Sequence, residues 1–208
     1  MTSYFSDIYN LNLWGYGSGV GSLPLNNVDY IKFLNMFVAQ NNVRSVVDFG
    51  CGDWQFSRFV DWGAARYTGF DIVESVIANN QKAFAQKNVS FCIFESETFL
   101  PEADLLICKD VFQHLPNPSI LKYLAALKAR YRFLLITNDD WPHEDLINSD
   151  ITEGGYRPIR LDREPFCEVA PIVLSWMIEW GGWKPTKKVT SLLLGRPEKS
   201  QFLQGPDS

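Results

Sequence analysis

Residues 43–54 read "VRSVVDFGCGDW". The run 43–49 is rich in β-branched residues and stops at glycine, which predicts a buried strand. Gly50 and Gly52 let the backbone turn tightly and approach a ligand. Working outward, "RYTGFD" (66–71), "VSFCIF" (89–94), "ADLLICKD" (103–110) and "RFLLIT" (132–137) predict further strands. Helices are predicted at "ESVIANNQKAFAQK" (74–87) and "NPSILKYLAALKAR" (117–130), the latter with Asn117 as cap and Pro118 at the first helical position. A short helix is predicted over 53–63, ended by Gly63, and a longer one over 27–41, where Tyr30, Ile31, Leu34, Phe37 and Val38 recur at helical spacing. Alternating strands and helices imply right-handed βαβ units and a doubly wound, mostly parallel α/β sheet with helices on both faces. The strands are nearly continuous apolar runs, as burial on both faces requires. "IVLSWMIE" (172–179) and "KKVTSLLLG" (187–195) read as two final strands around "GGWKP", making seven; the first also fits a helix ended by Gly181.

The chain has 208 residues, a net charge of −5 and a pI near 5.1. That length suits one domain. An acidic chain has no general attraction for nucleic acid or for an anionic membrane. The four cysteines form no C-x-x-C pair and there are only two histidines, which argues against a zinc site or a disulfide framework. Reduced thiols imply a cytoplasmic protein. "MTSYFSDIYN" lacks the basic and apolar regions of a signal peptide, and no apolar run is long enough to cross a bilayer.

Ligands of open α/β sheets bind outside the carboxyl ends of the strands. Asp71 ends the second predicted strand, where an acid accepts hydrogen bonds from ribose hydroxyls. A dinucleotide fingerprint would need a third glycine, but the sequence continues Asp53–Trp54. Carboxylates at 48 and 53 would repel a diphosphate and attract an ammonium group. The implied ligand is a nucleoside with a cationic tail, and S-adenosylmethionine fits.

"VVDFGCGDW", "YTGFD", "VSFCIFES" and "DLLICKDVFQHLPN", in this order and spacing, resemble the class I S-adenosylmethionine-dependent methyltransferases over roughly residues 43–137. The resemblance implies a Rossmann-like fold, with residues 1–42 as an N-terminal lid and helix and 43–208 as the methyltransferase domain, one compact unit in all. It implies that Asp48, Gly50, Cys51 and Gly52 hold the methionine part and that Asp71 holds the ribose. Ile72 would lie beside the adenine, Glu95 and Ser96 would meet its edge, and Cys108 and Lys109 would border the sulfonium. Trp54 stands where the family commonly has its third glycine, so its indole must point away from the cofactor or narrow the pocket.

The four glycines of "LWGYGSGVGSLP" (13–24) match no phosphate-binding pattern. Some class I methyltransferases look similar here, so the stretch reads as a lid, with Tyr16 and Gly17 at the cofactor and Trp14 or Tyr16 shielding the sulfonium; a flexible linker is the plain alternative. Methyl transfer to a hydroxyl or ammonium needs a proton acceptor. The candidates are Asp110, His114 and Asp139, with Asn138, Asp140 and His143 nearby. His114 can equally serve only to hold its loop. Arg157, Arg160 and Arg163 can clamp an anionic acceptor or form a solvated edge, whereas the acidic stretch 138–145 points toward an amine or basic peptide. "CKDVFQ" departs from the motif of the DNA N-methyltransferases. The reading is methyl transfer to an oxygen or nitrogen of a small polar metabolite, without nucleic acid or membrane as partner and with oligomeric state open. The alternatives are a protein or peptide N-methyltransferase and a binding module without catalysis.

Overall fold

The computed structural model describes residues 2–97, 100–140, 146–180 and 183–195. The strand that follows Arg44, β1 (Ser45–Phe49), is an interior strand of the sheet. It pairs in parallel with β2 (Arg66–Asp71) on one side and β4 (Ala103–Lys109) on the other. β3 (Val89–Ile93) adds in parallel to β2, and β5 (Tyr131–Asp140) adds in parallel to β4. The chain then closes with a hairpin, β6 (Ile172–Trp180) and β7 (Trp183–Leu194), in which β7 runs antiparallel between β5 and β6. The order is β3-β2-β1-β4-β5-β7-β6, a Rossmann-like α/β sheet.

Successive strand residues point to opposite faces, and both faces are covered. Val46, Leu105 and Ile107 pack on one side with Tyr30, Leu34 and Phe37 of α2 (Val28–Gln40) and Ile77 of α3 (Glu74–Phe84). Val47, Leu106 and Cys108 pack on the other with Ile120, Leu124 and Leu127 of α4 (Asn117–Lys128). Leu105, Leu106 and Ile107 have no exposed surface. Truncating any of them to alanine costs about 2–5 kcal/mol.

The hairpin strands resolve the two readings of 172–179. Trp176 and Ile178 are buried while Met177 between them is exposed, the period of a strand. The helix expected over 53–63 does not form. Trp54 has a φ of 56°, which breaks a right-handed helix, and only a 3-10 turn at Ser57–Phe59 follows. The segment instead lowers Phe56, Val60 and Trp62 into the core and leaves Phe59 at the surface under the Arg58 guanidinium. Asn117 opens α4 rather than capping it. The Asp150 carboxylate accepts the Asn117 N–H at 2.8 Å, and the Asn117 amide is used elsewhere.

Before β1, α1 (Thr2–Asn10) leads into the glycine stretch, which folds through 3-10 turns at Val20–Ser22 and Pro24–Asn27 into α2. Asn27 and Asn26 side-chain amides donate to the carbonyls of Gly21, Leu23 and Val20, so the turns are internally tied. Among the described residues, no helix is long and apolar enough to cross a membrane and no cluster of His, Cys, Asp or Glu is arranged for a metal.

Candidate active site

The strand order reverses between β1 and β4, and a cavity opens there beyond their carboxyl ends. It encloses about 1000 Å³, solvent at its mouth included. Its floor is the β1 turn. Gly50 has a φ of 79°, and a side chain there would collide with Val111. Gly52 has a φ of 53°, and a side chain there would collide with Ser18 of the glycine stretch. Bare backbone is therefore what lets the turn, the segment after β4 and the N-terminal stretch meet. Trp54 leaves the floor altogether: its indole lies among Tyr67, Phe84 and Phe91, with ring centroids 5.6, 5.2 and 5.2 Å away.

Two strand-end acids face this cavity. Asp71 accepts the N–H of Gly52 on Oδ2 at 3.0 Å and of Val73 on Oδ1 at 3.1 Å. Burial raises its pKa, partly offset by those backbone donors. Asp48 is more enclosed, with Oδ2 accepting from Tyr67 at 2.5 Å and from Ser57 at 3.3 Å. Burial outweighs these bonds and raises its pKa to about 6. Ile72, Cys51 and Phe94 complete this end of the wall. Burial likewise pushes the Cys51 thiol up, so it is an uncharged wall group.

The N-terminal residues form the roof through Phe5, Tyr9, Trp14 and Ser18. Ser18 and Asp53 hold each other reciprocally: the Asp53 N–H donates to Ser18 Oγ at 2.9 Å and the Ser18 N–H to Asp53 Oδ2 at 3.3 Å. Tyr9 joins them through a 2.7 Å hydroxyl contact with Ser18. Asp53 thus faces the roof and is not a cavity acid. Tyr16 and Gly17 lie outside the cavity: Tyr16 is 67% exposed, and the Gly17 N–H donates to Asn12 at 3.2 Å. The shielding aromatic is Trp14, whose ring stacks on His114 at 5.2 Å and 28°.

His114 lines the cavity from the turn Phe112–His114. Its Nδ1 is 2.9 Å from the Gly155 carbonyl, which can only accept, so Nδ1 carries the proton and Nε2 holds the lone pair. Burial lowers its pKa despite the Gly155 bond, keeping the ring neutral. Asp110 also lines the cavity, but both its oxygens are taken, Oδ2 by Lys109 at 2.5 Å and Oδ1 by Lys188 at 2.7 Å. Burial opposes its ionisation, yet the two ammonium groups hold its pKa down to about 2. Lys109 turns from the cavity wall to donate to the Gly21 carbonyl at 2.8 Å. Asp139 lies behind the wall, bound to Lys188 at 2.5 Å and to the Tyr156 hydroxyl at 2.5 Å.

Cys108, Glu95 and Ser96 do not line the cavity. Cys108 alternates with Lys109 along β4 and points into the opposite core. Glu95 is exposed. Arg157 is not a free clamp: its guanidinium is buried and bonded to Phe112, Asn117 and Ser149. Arg160 is paired with Asp162 and Asp140. His143 lies outside the described residues. Sequence reasoning missed Lys188, Glu153, Tyr123 and the α1 aromatics. These come from segments with no motif of their own, and only the unexplained apolar residues in 4–9 gave a signal.

Residues 47–129 match a family model described as a methyltransferase domain. The ubiquinone biosynthesis O-methyltransferase of Hydrogenovibrio crunogenus is 28% identical over 122 residues, covering 55% of this chain and 50% of that protein. The chain thus spans about half the length of the curated relatives it matches. Among solved structures, one from work on the conversion of a disulfide bond into a thioacetal group during echinomycin biosynthesis aligns with a TM-score of 0.62 at 16% identity, over 94% of this chain and 93% of that one. Magnesium protoporphyrin IX methyltransferase from Synechocystis PCC 6803 with bound SAH aligns at 0.54 and 15% identity, over 82% and 85%.

Proposed function

We propose that the chain is a class I S-adenosylmethionine-dependent methyltransferase, a reading that the methyltransferase-domain match over residues 47–129 supports, and that it transfers a methyl group from S-adenosylmethionine to an oxygen or nitrogen of a small polar metabolite. The observation that carries this is the pair of acids at adjacent strand ends facing one cavity. Asp71 accepts backbone N–H groups of Gly52 on Oδ2 and of Val73 on Oδ1, and a carboxylate has acceptor capacity beyond these for ribose hydroxyls. Asp48 is the acid available to an ammonium group. The glycine floor admits close backbone contact, and Ile72 and Phe94 offer apolar surface to a base. These residues fit the cofactor. When bound, it supplies an electrophilic methyl group on a cationic sulfur that leaves as a neutral thioether.

The chain's own contribution is placement and proton removal. His114, with the Nε2 lone pair free of the Gly155 bond, is the proton acceptor for the attacking group. Asp110, clamped by two lysines and ionised at all ordinary pH, is a poor base and instead fixes Lys109 and Lys188. Trp14, Phe5 and Tyr9 roof the cavity and limit the water that reaches it. A relative named as an O-methyltransferase supports oxygen as the accepting atom. A basic peptide is less well supported: Asp139 and Asp140 are neutralised by Lys188, Lys187 and Arg160. A binding module without catalysis loses its main support, because Trp54 packs away from the cavity.

Calorimetry with S-adenosylmethionine and S-adenosylhomocysteine tests the cofactor. Methyl-labelled cofactor presented separately to a metabolite extract and to cellular proteins tests the acceptor. Label is expected in the metabolite fraction. Absence of binding at millimolar cofactor would overturn the whole reading, and label confined to protein would overturn the acceptor class.

A further inference from the structure

Arg157 has 2% of its surface exposed, yet among the described residues its guanidinium meets no carboxylate. It is spent on neutral oxygens: Nη1 donates to the Phe112 carbonyl at 2.7 Å, Nη2 to Asn117 Oδ1 at 2.8 Å, and Nε to the Ser149 carbonyl at 3.1 Å. Its backbone N–H reaches the Gln113 carbonyl at 3.2 Å. These acceptors bracket the turn that ends in His114. The residues just before Arg157 grip His114 itself, the Gly154 N–H on its carbonyl at 2.9 Å and the Gly155 carbonyl on its Nδ1 at 2.9 Å. Burying a cation with no carboxylate hydrogen-bonded to it is costly, and burial brings the Arg157 pKa down to about 10 against the opposing pull of the Asp150 carboxylate. An apolar side chain would fill the space without that penalty. A planar fork of fixed donors does what bulk cannot, which is to lock two chain segments in one register.

We infer that Arg157 is a positioning residue: by pinning the 112–117 turn to the 154–157 segment it holds the Gly155 carbonyl on His114 Nδ1, and so fixes which ring nitrogen is free to take the acceptor's proton. The inference rests on the reading of His114 as the base. Around His114 stand Trp14, the Tyr156 ring at 5.9 Å, Asp110, Asp139 and Lys188. None of the charged groups contacts Arg157, so their pairs remain when it is changed.

The chain has two histidines, His114 and His143. Imidazole ¹⁵N spectra above the titration range, with the signals assigned by His114→Gln, therefore report the tautomer of each ring. In the unaltered chain, His114 is expected as one tautomer with the proton on Nδ1. In Arg157→Lys, which keeps the charge and loses the fork, the ring is expected as a mixture of tautomers. Calorimetric affinity for S-adenosylhomocysteine is expected to stay within about twofold, because no Asp48 or Asp71 contact is touched. If Arg157→Lys fails to fold, Asn117→Ala removes one anchor and leaves the arginine; the same drift toward a mixture is expected. A single Nδ1–H tautomer retained in whichever variant folds overturns the inference. The base reading fails separately: it falls if His114→Gln still labels the metabolite fraction at the original rate, and the tautomer result is indifferent to that outcome.

Discussion

Asp48 is the residue whose chemistry most directly couples pH to the proposed cofactor. Burial has raised its pKa to about 6, so near neutrality it is ionised, and one unit below that value it is mostly protonated. A cationic ligand binds the ionised form, so affinity should be full above pH 6 and fall as pH drops, about tenfold weaker at pH 5. Calorimetry in buffers of different ionisation enthalpy should show nearly one proton released on binding at pH 5 and none at pH 8. Asp48→Asn should flatten the profile. For the ligand-free fold the sign is reversed: a raised carboxyl pKa favours folding below its ordinary value, and that contribution disappears as pH rises through about 6. Asp71→Ala should weaken S-adenosylmethionine binding at least tenfold, matching the roughly 1.5–3 kcal/mol of a charged hydrogen bond; equal affinities would remove the ribose assignment. At this scale the sequence was informative at the carboxyl end of a strand and in the turn that follows it. Asp48, Gly50, Gly52, Asp71, Ile72, Lys109 and Asp110 line the cavity because the chain must turn there. Cys108 sits one residue too early, and strand alternation sends it to the other face. After the edge strand β3, Phe94 reaches the cavity while Glu95 and Ser96 lie beyond its lining.

Among the elements, the glycine stretch and α1 form a roof tied to the first crossover. The reciprocal Ser18–Asp53 bonds and the Tyr9 hydroxyl hold it over Gly52, and Lys109 holds the Gly21 carbonyl. A linker would make none of these contacts. Removing residues 1–22 should therefore lower cofactor affinity by tenfold or more while leaving the sheet folded; calorimetry beside far-ultraviolet circular dichroism measures both. Unchanged affinity would reduce the roof to packing. The existence of a covering element was readable from Trp14, an aromatic with no core of its own in a bare backbone. Its geometry was not. Gly17 and Tyr16 looked like cavity residues because they share the glycine pattern, but Gln55 and Asn12 turn that part of the backbone outward. The misread helix at 53–63 has a similar origin. Phe56 and Val60 have helical spacing, yet the crossover needs a left-handed residue at Trp54, and tertiary packing of its indole decides the local conformation.

Seen across the whole molecule, the closing hairpin does more than finish the sheet. Because β7 inserts between β5 and β6, Lys188 faces Asp139 across the β5 ladder and reaches Asp110 beyond the end of β4. Two strands were legible in the sequence, but their order was not, since 172–179 and 187–194 have similar apolar content. With β5 expected to stop at 137, Asp139 and Asp140 looked like acids free for an acceptor; the strand runs to Asp140 and pairs them with Lys188 and Lys187. The result is one buried ionic chain, Gly21 carbonyl–Lys109–Asp110–Lys188–Asp139–Tyr156, joining roof, β4, β7, β5 and the 152–157 segment. Burial disfavours the charge on Lys188, but Asp110 and Asp139 outweigh it and raise its pKa. Lys188→Met keeps the stem and leaves two buried carboxylates short of a counter-ion, a loss of about 3–5 kcal/mol at pH 7. The Asp110 pKa, held near 2, marks stabilisation that is present above its ordinary value and lost as pH falls through about 2. Without Lys188 much of that stabilisation is already gone, so the gap between variant and parent should be widest near neutrality and narrow as the carboxyls protonate below pH 4. Urea denaturation across pH 3–8 measures it. Asp139→Asn added to Lys188→Met should recover part of the loss, since it removes one of the stranded charges; a double variant no more stable than the single would mean that Lys188 acts by packing rather than by charge.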